Sequence, residues 1–213
     1  MQLLEVPFIS LPDIPGPTTA AAALDGLLVT PLNVNPWPQY EHSVQAGFSI
    51  AHCGSALLLK FRIKENYMLA AASANGDIHK DSCVEFFVAL GDDENYYNLE
   101  FNCIGWHKTG YGFNREKRAP LPAAVAAQIS TATSITATSA AGRPQFAWDI
   151  TLVIPAAVFC YHNLTSFHTA HARGNFYKCG DDMPAPHFLT WNKVQSPIPD
   201  FHRKEDFAGI RFQ

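Results

Sequence analysis

The chain has 213 residues, with 15 Lys and Arg against 19 Asp and Glu, a formal net charge of -4 and 47% apolar residues. That length suits one domain with a real core, and the acidic balance argues against a general polyanion binder. No stretch approaches the roughly 18 consecutive apolar residues of a membrane span, so neither nucleic acid nor a bilayer is an expected partner.

Residues 1–23 form a proline-containing N-terminal arm, with Pro7, Pro12 and Pro15 and without the basic start and long apolar run of a signal peptide. The cysteines, Cys53, Cys83, Cys103, Cys160 and Cys179, are odd in number and lack CxxC spacing. A reduced, cytoplasmic chain is expected; the alternative is an export signal trimmed ahead of Met1. Ala20 to Gly26 reads as one helical turn or a loop, and Pro36-Trp37-Pro38 enforces extended chain. Val44, Ala46, Phe48 and Ile50 then alternate with polar residues. Leu57, Leu59, Phe61 and Ile63 do the same after Cys53-Gly54-Ser55, which makes a hairpin. Tyr67 to Ala72 reads as a short apolar strand.

The most informative stretch runs from Asp77 to Trp106. In its first half Ser82, Val84, Phe86, Val88 and Leu90 point one way and Cys83, Glu85, Phe87 and Ala89 the other; in its second half Tyr97, Leu99, Phe101 and Cys103 oppose Tyr96, Asn98, Glu100 and Asn102. Both are period-two strands. Keeping apolar against apolar places Val88 across from Leu99, Phe86 across from Phe101 and Glu85 across from Asn102. The face bearing Glu85, Glu100, Asn98 and Asn102 is either a solvated sheet face, the commoner arrangement, or the floor of a polar binding site.

Gly105 to Pro122 reads as a long connection, and such connections in compact domains are usually functional or mobile. It mixes aromatic faces, Trp106, Tyr111 and Phe113, with the forked donors Arg115 and Arg118. Ile129 to Thr138 is an edge strand, and Phe146 to Ile154 a strand stopped by Pro155, with a short helix over Ala156 to Tyr161. Arg173 to Asp181 and His187 to Trp191 alternate again, and the proline-spaced tail returns as Gly209 to Phe212. About ten short strands separated by turn signals predict a single all-β domain over 1–213, an antiparallel β-sandwich of jelly-roll or immunoglobulin-like two-sheet architecture with short helical turns.

The order of several motifs resembles the family 9 carbohydrate-binding modules. They are Asp81-Ser82-Cys83-Val84-Glu85-Phe86-Phe87, Trp148 to Pro155, Gly174-Asn175-Phe176, Phe188-Leu189-Thr190-Trp191 and Phe207-Ala208-Gly209-Ile210-Arg211-Phe212. The closest fit is to bacterial proteins that carry such a domain alone. The resemblance implies a sandwich related to the DOMON-type domains, usually non-catalytic, gripping the end of an oligosaccharide or polysaccharide between two tryptophans and often holding structural calcium. At the clamp positions this chain offers Ile78 or His79 and, in the tail, Phe201; Trp191 matches a different tryptophan.

A sugar needs an apolar face for its C–H groups and planar polar partners for its hydroxyls. Trp106, Tyr177, Trp191 and Phe201 are the candidate faces, although Trp191 reads more as a core residue than as a ligand face. Glu85, Glu100, Asn102, Arg115, Arg118 and Lys178 are the candidate polar partners. A hydrolase or lyase using Glu85 and Glu100 is the alternative, since two carboxylates in unlike surroundings are what glycoside cleavage requires. Haem would need Met68 or Met183 paired with a histidine, and no HExxH or close histidine pair marks a zinc site. The acidic turns Asp92-Asp93-Glu94-Asn95 and Asp181-Asp182 carry the oxygen donors that calcium prefers.

Overall fold

A computed structural model describes residues 2–140 and 142–213, and its strands follow the alternating runs. In chain order the elements are β1 (Leu3–Val6), α1 (Pro17–Asp25), β2 (Thr30–Pro31), β3 (Gln45–His52), β4 (Ala56–Glu65), β5 (Cys83–Leu90), β6 (Tyr96–Asn102), β7 (His107–Gly112), β8 (Arg118–Pro120), α2 (Ala123–Ala126), β9 (Ser130–Ala140), β10 (Arg143–Pro155), β11 (His171–Gly180), β12 (His187–Thr190) and β13 (Ala208–Phe212). One sheet runs β1-β13-β11-β5-β6-β7-β8 with β12 also on β11; the other runs β2-β3-β4-β10-β9. Among the described strands β1 and β13 alone pair in parallel, and a parallel bridge joins Phe8 to His52. No helix among the described residues is long and apolar enough to cross a membrane.

The two sheets interlock through aromatic rings. Phe176 of β11 stacks on Phe48 of the opposite sheet at 3.9 Å between centroids and on Phe86 of β5 at 4.6 Å. Trp191 meets Phe176 edge-on at 5.7 Å, so it is a core residue. Rings in such offset and edge-on contacts add to the burial of their area.

Several expectations need correction. The faces of β5 and β6 are as the alternation requires, but the pairing is shifted by two residues: Glu85 faces Glu100, Phe86 faces Leu99 and Cys83 faces Asn102. A shift of two preserves every face, so hydrophobicity does not select between the registers; the turn does. Gly91, with φ of 55°, and the bond from Asp93 N–H to Leu90 C=O close a tighter connection than the expected pairing allows. Tyr67 to Ala72 is not a strand. The Leu69 amide donates to Ser82 Oγ, and those of Ala71 and Ala72 to the Asp81 carboxylate at 2.9 and 3.0 Å, so side chains replace a ladder. Gly105 to Pro122 is not one long loop but contains β7 and β8.

The second face of β5 and β6 is not solvated: every residue of both strands is buried. The covering layer is Trp37 and the tail, which lay Val194, Phe201 and Phe207 over Phe87, Tyr96 and Tyr177. Hydrogen bonds fasten this layer. Asn175 Nδ2 donates to Asn192 O at 2.9 Å, Trp37 Nε1 to Ser196 O at 2.8 Å, and the Gln195 amide to Asp206 Oδ2 at 2.7 Å. The prolines of the tail suit it to this role, since it runs as extended chain without a sheet partner.

Candidate functional site

Where the tail crosses β5, β6 and β11 it leaves a cavity of about 180 Å³, lined by His79, Glu85, Glu100, Arg115, Arg118, Cys179, Phe188 and Asp181 with Pro199 to His202 of the tail. Its floor is the sheet. Glu85 and Glu100 are direct cross-strand partners. Asn98 Nδ2 donates to Glu100 Oε1 at 2.9 Å, and Arg118 Nη1 reaches the same oxygen at 3.3 Å. Glu100 Oε2 is buried with no protein partner, and a buried acceptor left so is costly unless something donates to it.

Glu85 differs from its neighbour. The Cys179 thiol donates to Glu85 Oε1 at 3.2 Å. Burial first, and then the nearby Glu100, push the Glu85 carboxyl well above its ordinary value of 4.5. Burial also raises Asp181 at the rim. Arg115 Nη2 donates to Asp200 Oδ1 at 3.0 Å, so both cavity arginines face carboxylates of this chain.

The aromatic wall is built in two layers. Phe201 lies flat on Tyr177, with centroids 4.2 Å apart and planes 14° from parallel, and Tyr177 Oη donates to Phe201 O at 3.2 Å. Phe188 stands edge-on to Phe201. Beside them Tyr96 Oη and His202 Nδ1 are hydrogen-bonded at 2.7 Å, while burial first, then Arg118 and Arg115, hold the His202 pKa down to about 2. The imidazole is therefore neutral within the wall.

With this geometry in view, the family model described as Carbohydrate-binding family 9 matches residues 21–212. The chain belongs to carbohydrate-binding family 9. This family 9 domain is 32% identical to a Bacteroides uniformis protein described as a "putative carbohydrate-binding protein", with a TM-score of 0.91 over 100% of this chain and 99% of that one. Two structures of a family 9 module from Caldicellulosiruptor kristjanssonii share the fold at lower identity. The one in complex with glucose is 10% identical, with a TM-score of 0.65, covering 100% of this chain and 96% of that one. The one in complex with cellotriose is 9% identical, with a TM-score of 0.59, covering 100% and 94%. Among curated proteins none matches this chain.

The family 9 domain brings together five of the residues expected to bind ligand: Glu85, Glu100, Arg115, Arg118 and Phe201. The other five lie elsewhere. Asn102 is buried and donates to Asp81 Oδ2 at 2.9 Å. Trp106 is 49% exposed and outside the cavity. Tyr177 is sealed beneath Phe201, and Trp191 lies in the core. Lys178 points into the space between the sheets, where its Nζ sits 3.0 Å from Glu65 Oε2 and 2.8 Å from His187 Nε2. Alternation along β11 already separates Tyr177 from Lys178, so the two were never able to serve one site.

Sequence reasoning missed Cys179, Phe188, Asp200 and His202. Asp200 and His202 flank Phe201, and an irregular tail can turn three consecutive residues toward one space. Cys179 has no local signal, because only the register of β11 on β5 brings it beside Glu85. Ile78 is buried, whereas His79 lines the cavity, so His79 and Phe201 stand where the resemblance places tryptophans.

Calcium needs about six to eight oxygen ligands. The carboxylate of Asp93 already accepts from Tyr111 Oη and from the Asn95 amide, and lies 3.2 Å from His162 Nε2; Glu94 pairs with Lys204 at 2.8 Å. The Asp93 and Glu94 carboxylates are thus already engaged by donors of this chain. Among the described residues, Cys83, Glu85 and Cys179 bring three metal-ligating atoms together.

Proposed function

We propose that this family 9 domain binds an oligosaccharide without chemistry, seating one ring in the cavity between Phe201 and the Glu85–Glu100 floor. The observation that carries the reading is the unpartnered Glu100 Oε2, buried beside a donating Arg118 and an aromatic wall. A sugar hydroxyl donates to the first and accepts from the second while its C–H groups cover Phe201. The volume, about 180 Å³, is below the range of drug-sized sites and suits a single ring.

A second cavity of about 210 Å³ begins on the other side of Arg115 and Arg118, lined by Asn98, Lys108 and Thr109. Two of these lining residues carry buried polar atoms without a partner, Asn98 Oδ1 and Thr109 Oγ1. A following unit would lie there. Because Arg115 and Arg118 already face Asp200 and Glu100, and Glu85 is held toward its neutral form, the site favours a neutral sugar over an acidic one.

The test is a calorimetric titration of neutral and uronic-acid oligosaccharides against the wild type and Glu100→Gln. Binding of a neutral sugar that weakens in the variant is expected, and no binding of any sugar by the folded wild type would overturn the reading. A hydrolase or lyase would use the same two carboxylates in unlike surroundings. Release of reducing ends by the wild type, lost in Glu85→Gln, would replace the binding reading with that one.

A further inference from the structure

Cys83 and Cys179 are register partners on β5 and β11, and Glu85 lies two residues along β5 on the same face. Period two and one strand pairing thus aim two thiols and a carboxylate at one point. Cys179 Sγ is 3.2 Å and Cys83 Sγ 3.8 Å from Glu85 Oε1, and the three donor atoms all lie within 4.8 Å of one another. A tetrahedral zinc site with metal–sulfur bonds of about 2.3 Å and metal–oxygen bonds of about 2.1 Å has sulfur–oxygen edges of roughly 3.5 Å and sulfur–sulfur edges of roughly 3.8 Å. The two sulfur–oxygen distances already present bracket that edge, and the two sulfur atoms lie within 4.8 Å of each other.

We propose that Cys83, Glu85 and Cys179 form a binding site for one soft divalent cation of the zinc class, with its fourth position open to the cavity. Two thiolates select zinc or cadmium over calcium or magnesium, which need more oxygen donors than one carboxylate supplies. Cys179 and Glu85 both line the cavity, so an ion enters from it and a water molecule completes the tetrahedron. Binding exchanges protons for metal: both thiol protons, and that of Glu85 where it carries one, pass to solvent as the ion's charge offsets the anions left behind. The three donors sit on adjacent strands of a buried sheet, which holds them more precisely than loops would. The site shares Glu85 with the floor of the cavity, but its two sulfur donors take no part in the sugar reading.

The experiment titrates the reduced, metal-free full chain with Cd²⁺ and Co²⁺ in the presence of excess Ca²⁺, following thiolate-to-metal charge-transfer absorption. It is repeated after refolding with Cd²⁺, so that slow entry does not hide the site. One equivalent is expected to bind. Cys83→Ser and Cys179→Ser should each weaken binding by more than the roughly 10- to 100-fold that loss of an outer-shell partner costs. Glu85→Gln should weaken binding while leaving the absorption band, and Cys53→Ser should change neither. As a measurement free of variants, native mass spectrometry of the wild type should show a single Cd²⁺ adduct with proton loss to match. No charge-transfer band by either route, or a band unchanged in both Cys83→Ser and Cys179→Ser, would overturn the proposal. Loss of sugar binding without loss of the band would count against the carbohydrate reading alone.

Discussion

Lys178 Nζ lies 3.0 Å from Glu65 Oε2, with both side chains sealed from solvent between the sheets. The contact is an ion pair by distance, though its angle falls short of a hydrogen bond, so Glu65 Oε2 is held by charge rather than by a directed donor. Trp148 Nε1 donates to the other carboxylate oxygen at 2.7 Å, and His187 Nε2 accepts from Lys178 Nζ at 2.8 Å. A buried pair of this kind is costly to break by halves. Lys178→Met should lower stability by about 3 to 5 kcal/mol, because Glu65 is left buried without its partner, and Lys178→Met with Glu65→Leu should recover most of the loss. Urea unfolding of the two variants decides this; equal losses in both would mean that packing volume, not charge, sets the cost.

The stability of the sandwich rests on the Phe48–Phe176–Phe86 stack, in which all three rings are fully buried. Phe86→Ala is expected to cost about 3 to 5 kcal/mol through lost transfer energy and the cavity it leaves. A loss below about 1 kcal/mol in chemical denaturation would show that the two sheets do not close on this ring.

Acid should destabilise the fold through two histidines held neutral. Burial first, then Lys178, lowers the His187 pKa from 6.5 to about 3, and burial with Arg118 and Arg115 lowers that of His202 from 6.5 to about 2. The unfolded chain takes up both protons near 6.5 while the folded chain does not, so stability is present above that value and is lost as pH falls from it toward the folded pKa values. The expected result is an unfolding free energy that declines below about pH 6.5, with a shallower decline in His202→Asn and His187→Gln. A slope that neither substitution reduces would place the acid sensitivity in the carboxylates instead.

Ligand binding should separate the cavity residues from the exposed tryptophan. Arg118→Ala should weaken binding of a neutral oligosaccharide by about 1.5 to 3 kcal/mol, roughly ten- to a hundred-fold, as loss of a hydrogen bond to a charged group does. Phe201→Ala removes the stacking wall and should weaken it as well, whereas Trp106→Ala, outside the cavity, should leave it unchanged. Affinity should vary little with salt, because a neutral sugar meets no unpaired charge. Binding that survives Arg118→Ala and Phe201→Ala but fails in Trp106→Ala would move the site to the outer end of β7.

Alternation alone determined the two-sheet architecture, the faces of β5 and β6, and the burial of Phe86 and Phe101 behind Glu85 and Glu100, because a period of two admits no other placement of those apolar residues. Motif order from Asp81 to Phe212 determined the family. The register of the β5–β6 hairpin did not follow from pattern, since a shift of two leaves every face intact and only the turn at Gly91 distinguishes the alternatives. Nor did the covering of the polar face, where Phe201 stacks on Tyr177 across 24 positions of sequence. The cavity exists because an irregular tail is fastened by isolated long-range contacts, such as the paired bonds between Asn175 and Asn192, and such contacts leave no periodic trace. Cys83, Glu85 and Cys179 meet for the same reason: strand pairing between distant segments, not spacing along the chain, decides which side chains share a point.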